Sequence, residues 1–348
     1  MIKKKKKTRD ILGVCGGNGV ILHPAKDRLI ANIEPRKIFH TKNQEQWRAN
    51  FKNIPYFTDI NSVPFISKKK VKIIIGAPDC GHSSKLALSV FKKLFNPKQN
   101  ESLQFYIYCV NKYQPEIFMM ENLPAIMKNI TIPDWKKYLP GYDFLFLDHS
   151  VFEFGNHQKT RKRLVIIGTK NLNRYFDKIF TDVYPVAKPR LVGRIEKYYR
   201  LNKENLTGCQ SEPLNKQVCM KFRNVKLNLG QVKKVWNTHF KDETRWLMPN
   251  TKMGTLPGVY RNEKDDYPKT AMKETRQFDS RGNVLSPRMI AMIQGVPDDF
   301  VLHVDTDKLQ YWLNKCRATV AKTPPYEIGL WFMKQINKYE KWEQKHLS

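Results

Sequence analysis

The sequence contains little cysteine, and its cysteines are widely scattered. There are six in 348 residues, namely Cys15, Cys80, Cys109, Cys209, Cys219 and Cys316. They form no CxxC pair and no cysteine–histidine cluster at zinc spacing, which excludes the common zinc modules and a disulfide framework. We therefore expect reduced thiols, no metal and a cytoplasmic location.

Long apolar runs are missing as well. No stretch approaches the roughly 20 apolar residues that cross a bilayer. The lysine run Lys3–Lys7 lacks the apolar segment that would make it a secretory signal. We expect a soluble protein without membrane contact, and a chain of this length has room for two domains.

Acidic residues are scarce relative to basic ones. Lysine and arginine number 62 against 32 aspartates and glutamates, a formal net charge of +30. Such a charge favours a polyanionic partner, and nucleic acid is the first candidate. A lysine-rich composition written by an AT-rich genome, or attraction to an anionic membrane, would give the same excess.

Short apolar runs alternate with longer mixed segments from Lys7 to about Lys170, as strands alternate with helices in a parallel α/β sheet. The clearest buried strands lie in Val71–Pro78, Pro115–Pro124 and Arg163–Lys170. Ligands of such sheets collect beyond the carboxyl ends of the strands. We predict a catalytic domain over 1–183, a basic recognition domain over 184–284, and helices over 285–348 that complete the catalytic domain.

The first strand is predicted at Asp10–Leu12 and leads into a glycine-rich loop with Gly13, Cys15, Gly16 and Gly17. Glycines there let a cofactor approach the backbone closely. Glu34, at the end of a second strand, is placed to accept ribose hydroxyls, and Asp59 to bind an adenine amino group. An ordinary strand–helix connection has the same pattern.

The segment GAPDCGHSS, Gly76–Ser84, places Cys80 directly after a buried strand in a Gly/Pro loop. A nucleophile is displayed in this way, and a helix beginning near Ser84 would lower the pKa of the thiol. A small buried thiol is the alternative. The neighbouring Asp79 acts against ionisation of the thiol unless an arginine offsets it.

Two further segments carry charge where a strand begins or ends. Glu121, in ENLP, is able to hold a proton against a heterocycle nitrogen, or to serve only as a helix N-terminal acid. Arg161 and Arg163 alternate at the start of a strand and therefore share one face. They suit developing negative charge or a phosphate, or form a solvated edge.

These segments together resemble the DNA cytosine-5 methyltransferase family, in the family's own order and over nearly the whole chain. RDILGVCGGNG resembles its cofactor loop, and GAPDCGHSS its Pro-Cys nucleophile loop, in a form similar to bacteriophage versions. ENLP resembles its Glu-Asn-Val motif, QKTRKRLVIIG its Gln-x-Arg-x-Arg strand, and LSPRMIAMIQGVPDDF its supporting helix. The resemblance implies a Rossmann-like S-adenosylmethionine-dependent fold with a smaller target-recognition domain.

The resemblance also implies residue roles. Its catalytic residues are Cys80, Glu121, Arg161 and Arg163. Its cofactor-binding residues are Gly13, Cys15, Gly16, Gly17, Glu34, Pro35, Asp59, Ile60, Pro78, Arg317, Thr319 and Val320. Its substrate-binding residues are Ser84, Asn122 and Gln158. The implied partner is double-stranded DNA with a flipped cytosine, bound by a monomer in a bacterial cell, with a phage as one source of the gene.

Some positions depart from the family pattern. Val14 stands where glycine is usual, Gly81 replaces glutamine, and Gln158 lies one residue further from Arg161 than usual. Arg317 falls in the last cofactor motif, near the transferable group, so carboxy-S-adenosylmethionine is an alternative donor to S-adenosylmethionine. An RNA cytosine-5 methyltransferase and a catalytically silent nucleic-acid-binding protein are further alternatives.

Overall fold

A computed structural model describes residues 8–35, 40–58, 66–79, 100–170, 180, 182–202, 245–246, 259–261, 267–268, 277–278, 287–302 and 323–347. By its contacts the chain divides into two compact units. The first comprises 1–155, 162–187 and 324–348, and the second comprises 156–161 and 188–323. The segment 285–323 thus groups with the second unit by contacts, while the predicted functional division remains a prediction.

Seven strands form one mixed sheet in the described part of the first unit. They are β1 (Ile11–Val14), β2 (Leu29–Ile33), β3 (Tyr56–Phe57), β4 (Ile73–Gly76), β5 (Ile117–Asn122), β6 (Asp143–Ser150) and β7 (Lys162–Thr169). Their order in space is β3-β2-β1-β4-β5-β7-β6, and β7 runs antiparallel to both neighbours while β1 to β5 are parallel. The sheet confirms the predicted α/β class and Rossmann-like architecture.

The strand that contains Arg163 runs against the expected direction. Alternating strands and helices predicted parallel strands throughout, whereas β7 is antiparallel and pairs Leu164 with Asn122, the last residue of β5. The beginning of β7 therefore lies beside the carboxyl ends of the parallel strands. This brings Arg163, one residue before Leu164, to the edge of the sheet where ligands bind.

Helices cover the sheet of the first unit. They are α1 (His40–Asn50), α2 (Glu101–Tyr113) and α3 (Ile132–Tyr138), with short 3₁₀ helices at Val20–Arg28, Lys68–Lys70, Pro124–Lys128 and Val151–Phe154. α2 buries Leu103, Tyr106, Cys109, Val110 and Tyr113, the spacing of one helical face, against the core. The Tyr106 hydroxyl donates to the Met119 carbonyl at 2.9 Å and so fixes this helix on β5.

The described part of the second unit holds the helices α4 (Val192–Asn202) and α5 (Pro287–Ile293). It also holds a three-stranded sheet of β8 (Arg245–Trp246), β9 (Val259–Arg261) and β10 (Gln277–Phe278). α5 confirms the helical pattern predicted after Leu285. Most of the predicted recognition domain, the helix expected near Ser84 and the segment LQYWLNKC lie outside the described residues.

The last helix, α6 (Tyr326–Leu347), confirms the predicted amphipathic helix and belongs to the first unit. Arg28 joins it to the sheet, because its Nη2 lies 2.7 Å from Asp10 Oδ2 and 2.8 Å from Glu340 Oε1. Gly329 lies against the carbonyl of Ile21, where an added Cβ would collide with it. The helix therefore closes over the segment that follows the first loop.

Candidate active site

The glycine loop after β1 is held close to the neighbouring strand. The Cys15 amide donates to the Ile33 carbonyl at 2.9 Å, and both Cys15 and Gly17 have positive φ, 56° and 60°. A Cβ at Gly13 or at Gly16 would come within 2.7 Å of Asn32 Oδ1. At Gly17 an added Cβ meets only Asn43 Nδ2, at 4.0 Å, so this part of the loop borders open space.

The Glu34 carboxyl group lies at the end of β2 beside this loop. Its Oε1 accepts hydrogen bonds from the Gly17 amide at 2.7 Å and from Asn32 Nδ2 at 3.0 Å. Burial raises the pKa of Glu34 to about 7, and these two hydrogen bonds lower it only in part. Since both described donors meet Oε1, the other oxygen is the one placed to accept from a ligand.

The segment that leads to Cys80 is bound to the two predicted motifs on either side of it. The Ala77 amide donates to the Cys15 carbonyl at 3.3 Å, and Asn122 Nδ2 donates to the Pro78 carbonyl at 3.1 Å. Asn122 is buried, and its own Oδ1 accepts from the Leu123 amide at 2.8 Å. Asn122, predicted to bind substrate, thus uses its side chain to hold the nucleophile segment.

Glu121 and Arg163 form an ion pair at the carboxyl ends of the parallel strands. Arg163 Nε lies 2.8 Å from Glu121 Oε1, and the two side chains are 17% and 7% exposed. The antiparallel pairing of β5 with β7 places the two residues side by side. The sequence predicted both residues for the site, but it did not predict their contact.

Arg161 does not share the environment of Arg163. It precedes β7, which begins at Lys162, and it belongs to the second unit. Its Nη1 donates to Gln158 Oε1 at 3.0 Å and also to Gln294 Oε1, and its Nη2 donates to the Thr323 carbonyl at 2.7 Å. The expectation that the two arginines share one strand face is wrong, because only Arg163 lies in the strand.

Gln158 is buried next to Arg161 in the second unit. Its amide donates to Asn156 Oδ1 at 2.9 Å, and its side-chain oxygen accepts from Arg161. These contacts show Gln158 as a support for the arginine, although the sequence predicted a substrate contact. Asn32 and Gln294 were missed in the sequence; Asn32 could have been noticed as a polar residue in the apolar strand LIANI.

Several predicted site residues lie outside the described residues. They are Asp59, Ile60, Cys80, Ser84, Arg317, Thr319 and Val320. Pro78 is buried and Pro35 half-buried, both beside described site elements. Within the described ranges no histidine, cysteine or carboxylate cluster could hold a metal ion, and no helix there is long and apolar enough to span a membrane.

Comparison with known proteins decides the family. Residues 9–313 match the family described as C-5 cytosine-specific DNA methylase, which is most of the chain. The chain belongs to this family. The methylase match covers the glycine loop, the Cys80 segment, the Glu121–Arg163 pair and the recognition region. A protein named as a type II methyltransferase, M.MjaORF1200P, of Methanocaldococcus jannaschii is 29% identical over 108 residues, which span 29% of this chain and 29% of that protein.

Solved structures resemble this methylase over almost its full length. An E. coli protein described as a prophage-encoded DNA modification methyltransferase has a TM-score of 0.63 at 15% identity, covering 96% of this chain and 100% of its own. The Entamoeba histolytica methyltransferase EhMeth has a TM-score of 0.58 at 12% identity, covering 95% and 98%. Spodoptera frugiperda DNMT2 gives 0.57 at 11%, covering 95% and 100%. At these identities the structures establish the fold.

Proposed function

We propose that the protein transfers a one-carbon group from an S-adenosylmethionine-type donor to C5 of cytosine in DNA, forming 5-methylcytosine. The supporting observation is the hydrogen bond from Asn122 Nδ2 to the Pro78 carbonyl. Asn122 follows Glu121, and Pro78 stands two residues before Cys80. The carboxyl group and the segment that carries the thiol are therefore joined at one edge of the sheet.

In this proposal the Cys80 thiolate adds to C6 of an extruded cytosine while Glu121 binds N3. Addition makes C5 nucleophilic, so a C5–carbon bond forms as the donor's sulfonium loses its transferable carbon. Loss of the C5 proton to a base then expels the thiolate and restores the aromatic ring. Arg163 holds the Glu121 carboxyl group in place, and Arg161 acts as a positioning residue through Gln158 and Gln294.

The glycine loop and Glu34 fit an adenosyl cofactor. The loop borders open space at Gly17, and the buried Glu34 carboxylate offers Oε2 to a ribose. Gly13, Cys15, Gly16, Gly17, Glu34 and Pro35 would line this site, with Asp59 and Ile60 at the adenine, and Pro78, Thr319 and Val320 near the methionine part. The cofactor supplies an electrophilic carbon on a sulfonium.

Donor affinity is expected to fall as the pH is lowered through 7. Ribose hydroxyls donate best to an ionised carboxylate, and Glu34 has a pKa of about 7. If only the ionised form binds, affinity at pH 6 is roughly tenfold below that at pH 8. Calorimetric titration of the donor at both pH values measures this.

Glu34→Gln is the matched variant for the pH effect. It removes the titrating group and is expected to bind weakly at both pH values with no pH dependence. The pKa values of Cys15 and Tyr56, the ionisable side chains that interact with Glu34, are raised by burial, so both stay neutral over this range. A wild-type affinity that does not change between pH 6 and 8 would contradict the role of Glu34.

Duplex DNA is the proposed partner, bound by a monomer with one cytosine flipped out. The net charge of +30 supports a polyanionic partner. The recognition domain over 184–284 is proposed to read the bases, and Ser84 to contact the substrate. A cytoplasmic location in a bacterial host is part of the proposal; within the described ranges, Cys15 and Cys109 are free thiols.

DNA in which 5-fluorocytosine replaces every cytosine is expected to trap the protein. Fluorine at C5 cannot leave as a proton, so the Cys80–C6 bond persists after transfer. A covalent complex that survives denaturation, and that forms only with added donor, is the expected result on gels. Since the target sequence is unknown, the DNA must be of mixed sequence. Absence of any such complex, or trapping on fluorinated RNA alone, would overturn the DNA proposal.

Arg317 gives the donor a second candidate. A guanidinium beside the transferable group would pair with an extra carboxylate, as in carboxy-S-adenosylmethionine. Arg317 lies outside the described residues, so the argument comes from the sequence. Mass spectrometry of DNA treated with each donor separates the two: 5-methylcytosine alone ends the carboxymethyl alternative.

A further inference from the structure

The residue that precedes Cys80 is held by two side chains from the start of α2. The Asp79 amide donates to Ser102 Oγ at 2.8 Å, and Asn100 Nδ2 donates to the Asp79 carbonyl at 3.0 Å. The Asp79 carbonyl belongs to the peptide group that joins Asp79 to Cys80. Asn100 thus holds the peptide from which Cys80 begins.

The two side chains also bind each other. Ser102 Oγ donates to Asn100 Oδ1 at 2.9 Å, and the same oxygen accepts from the Leu103 amide at 3.1 Å as the N-cap of α2. Asn100 is 3% exposed. Its amide is therefore oriented by one end, the helix cap, so that the other end faces Asp79.

The three residues before Cys80 are fixed at successive peptide groups. Ala77 is held by the Cys15 carbonyl and Pro78 by Asn122, while Asn100 and Ser102 hold Asp79. Ser102 also accepts a hydrogen bond from the Cys15 thiol through its carbonyl, at 3.5 Å. Asp79 is itself exposed, so packing of its side chain does not hold it.

From this arrangement we propose that Asn100 and Ser102 are positioning residues for the Cys80 nucleophile. They act through the Asp79 backbone and set where the chain enters the reactive residue. The inference rests on the proposed function of Cys80. A displacement of about 1 Å at a reacting group can lower a rate by about 10²-fold, so two hydrogen bonds at the adjoining peptide are enough to matter.

Asn100→Asp tests the inference with little effect on folding. Aspartate caps a helix as well as asparagine does, so the bonds from Leu103 and Ser102 survive, while the donor to the Asp79 carbonyl is lost. Addition of the thiolate alone can be followed without any donor, because it lets the C5 hydrogen exchange with water. We expect tritium release from DNA carrying tritium at cytosine C5 to slow by about 10²-fold, with unchanged donor affinity and melting temperature.

Asn111→Asp is the matched control on the same helix. Asn111 Nδ2 also donates to a backbone carbonyl, that of Tyr138 at 2.9 Å, but away from the nucleophile segment. It is expected to release tritium at the wild-type rate. Ser102→Ala should slow release, and Ser102→Thr, which keeps the hydroxyl, should restore it.

The outcomes separate this inference from the function on which it depends. A wild-type protein that neither releases tritium nor forms the trapped complex overturns the proposed function. If the wild type does both and Asn100→Asp releases tritium as fast as Asn111→Asp, only the positioning role is wrong. Equal slowing in both variants would also reject it, because the effect would then follow the added charge and not the contact with Asp79.

Discussion

Cys80→Ala is expected to abolish group transfer, with a loss in kcat on the order of 10⁴-fold or more. Without the thiol no bond forms at C6, and C5 of cytosine is too weak a nucleophile to take the group from the sulfonium. Binding of duplex DNA should persist, because phosphate contacts provide most of the affinity. Label transfer from a radioactive donor into DNA under single-turnover conditions measures the loss.

Cys109→Ala supplies the control for removal of a thiol. Cys109 is fully buried on α2, and burial raises the pKa of its thiol to about 12, so it cannot act as a thiolate. The variant should keep the wild-type transfer rate and lose about 1 kcal/mol of stability through a small cavity. A Cys80→Ala protein that transfers label as fast as Cys109→Ala would identify the enzyme's chemistry as something other than covalent catalysis through Cys80.

Local sequence signals located the strands and loops well, because each depends on nearby residues. The runs before Pro78 and around Glu121 are buried strands, and the last helix begins at Tyr326 after two prolines, as predicted. The first strand was misplaced by one residue at its start and two at its end, since it runs from Ile11 to Val14. Glycines continue a buried strand without any local sign that it has not yet ended.

Strand direction and long-range pairing were beyond the sequence. Nothing in RLVIIGT indicates that β7 runs antiparallel, because a buried apolar strand has the same pattern in either direction. The contact between Arg163 and Glu121 follows from that direction. For the same reason Arg161 was grouped with Arg163, although its partner Gln294 lies 133 residues away in the chain.

Supporting polar residues were the most consistent omission. Asn32, Asn100 and Ser102 bind backbone groups or the Glu34 carboxyl group, and none belongs to a motif that the sequence reading used. A chemistry-based search finds residues that react, whereas these residues only hold others in place. Their common signal is a small polar side chain within or next to a buried element, where every polar group needs a partner.

Glu121→Gln is expected to lower kcat by about 10²–10⁴-fold while leaving DNA binding intact. The glutamine can still accept from Arg163 and can offer an N–H to N3, so the base should enter. It has no acidic proton, however, and cannot neutralise the charge that develops on the ring when the thiolate adds to C6. Tritium release from C5 without donor should therefore fall together with the transfer rate.

Glu116→Gln changes a carboxyl group just before the same strand. Glu116 is exposed at the opposite end of β5, where its backbone carbonyl accepts from the Lys170 amide at 3.2 Å. The variant lowers the negative charge of the protein by the same amount and should retain wild-type rates in both assays. If Glu121→Gln instead slowed transfer but left tritium release unchanged, Glu121 would act after addition, and N3 would need another partner. Its ion pair with Arg163 would then serve to hold the arginine rather than the base.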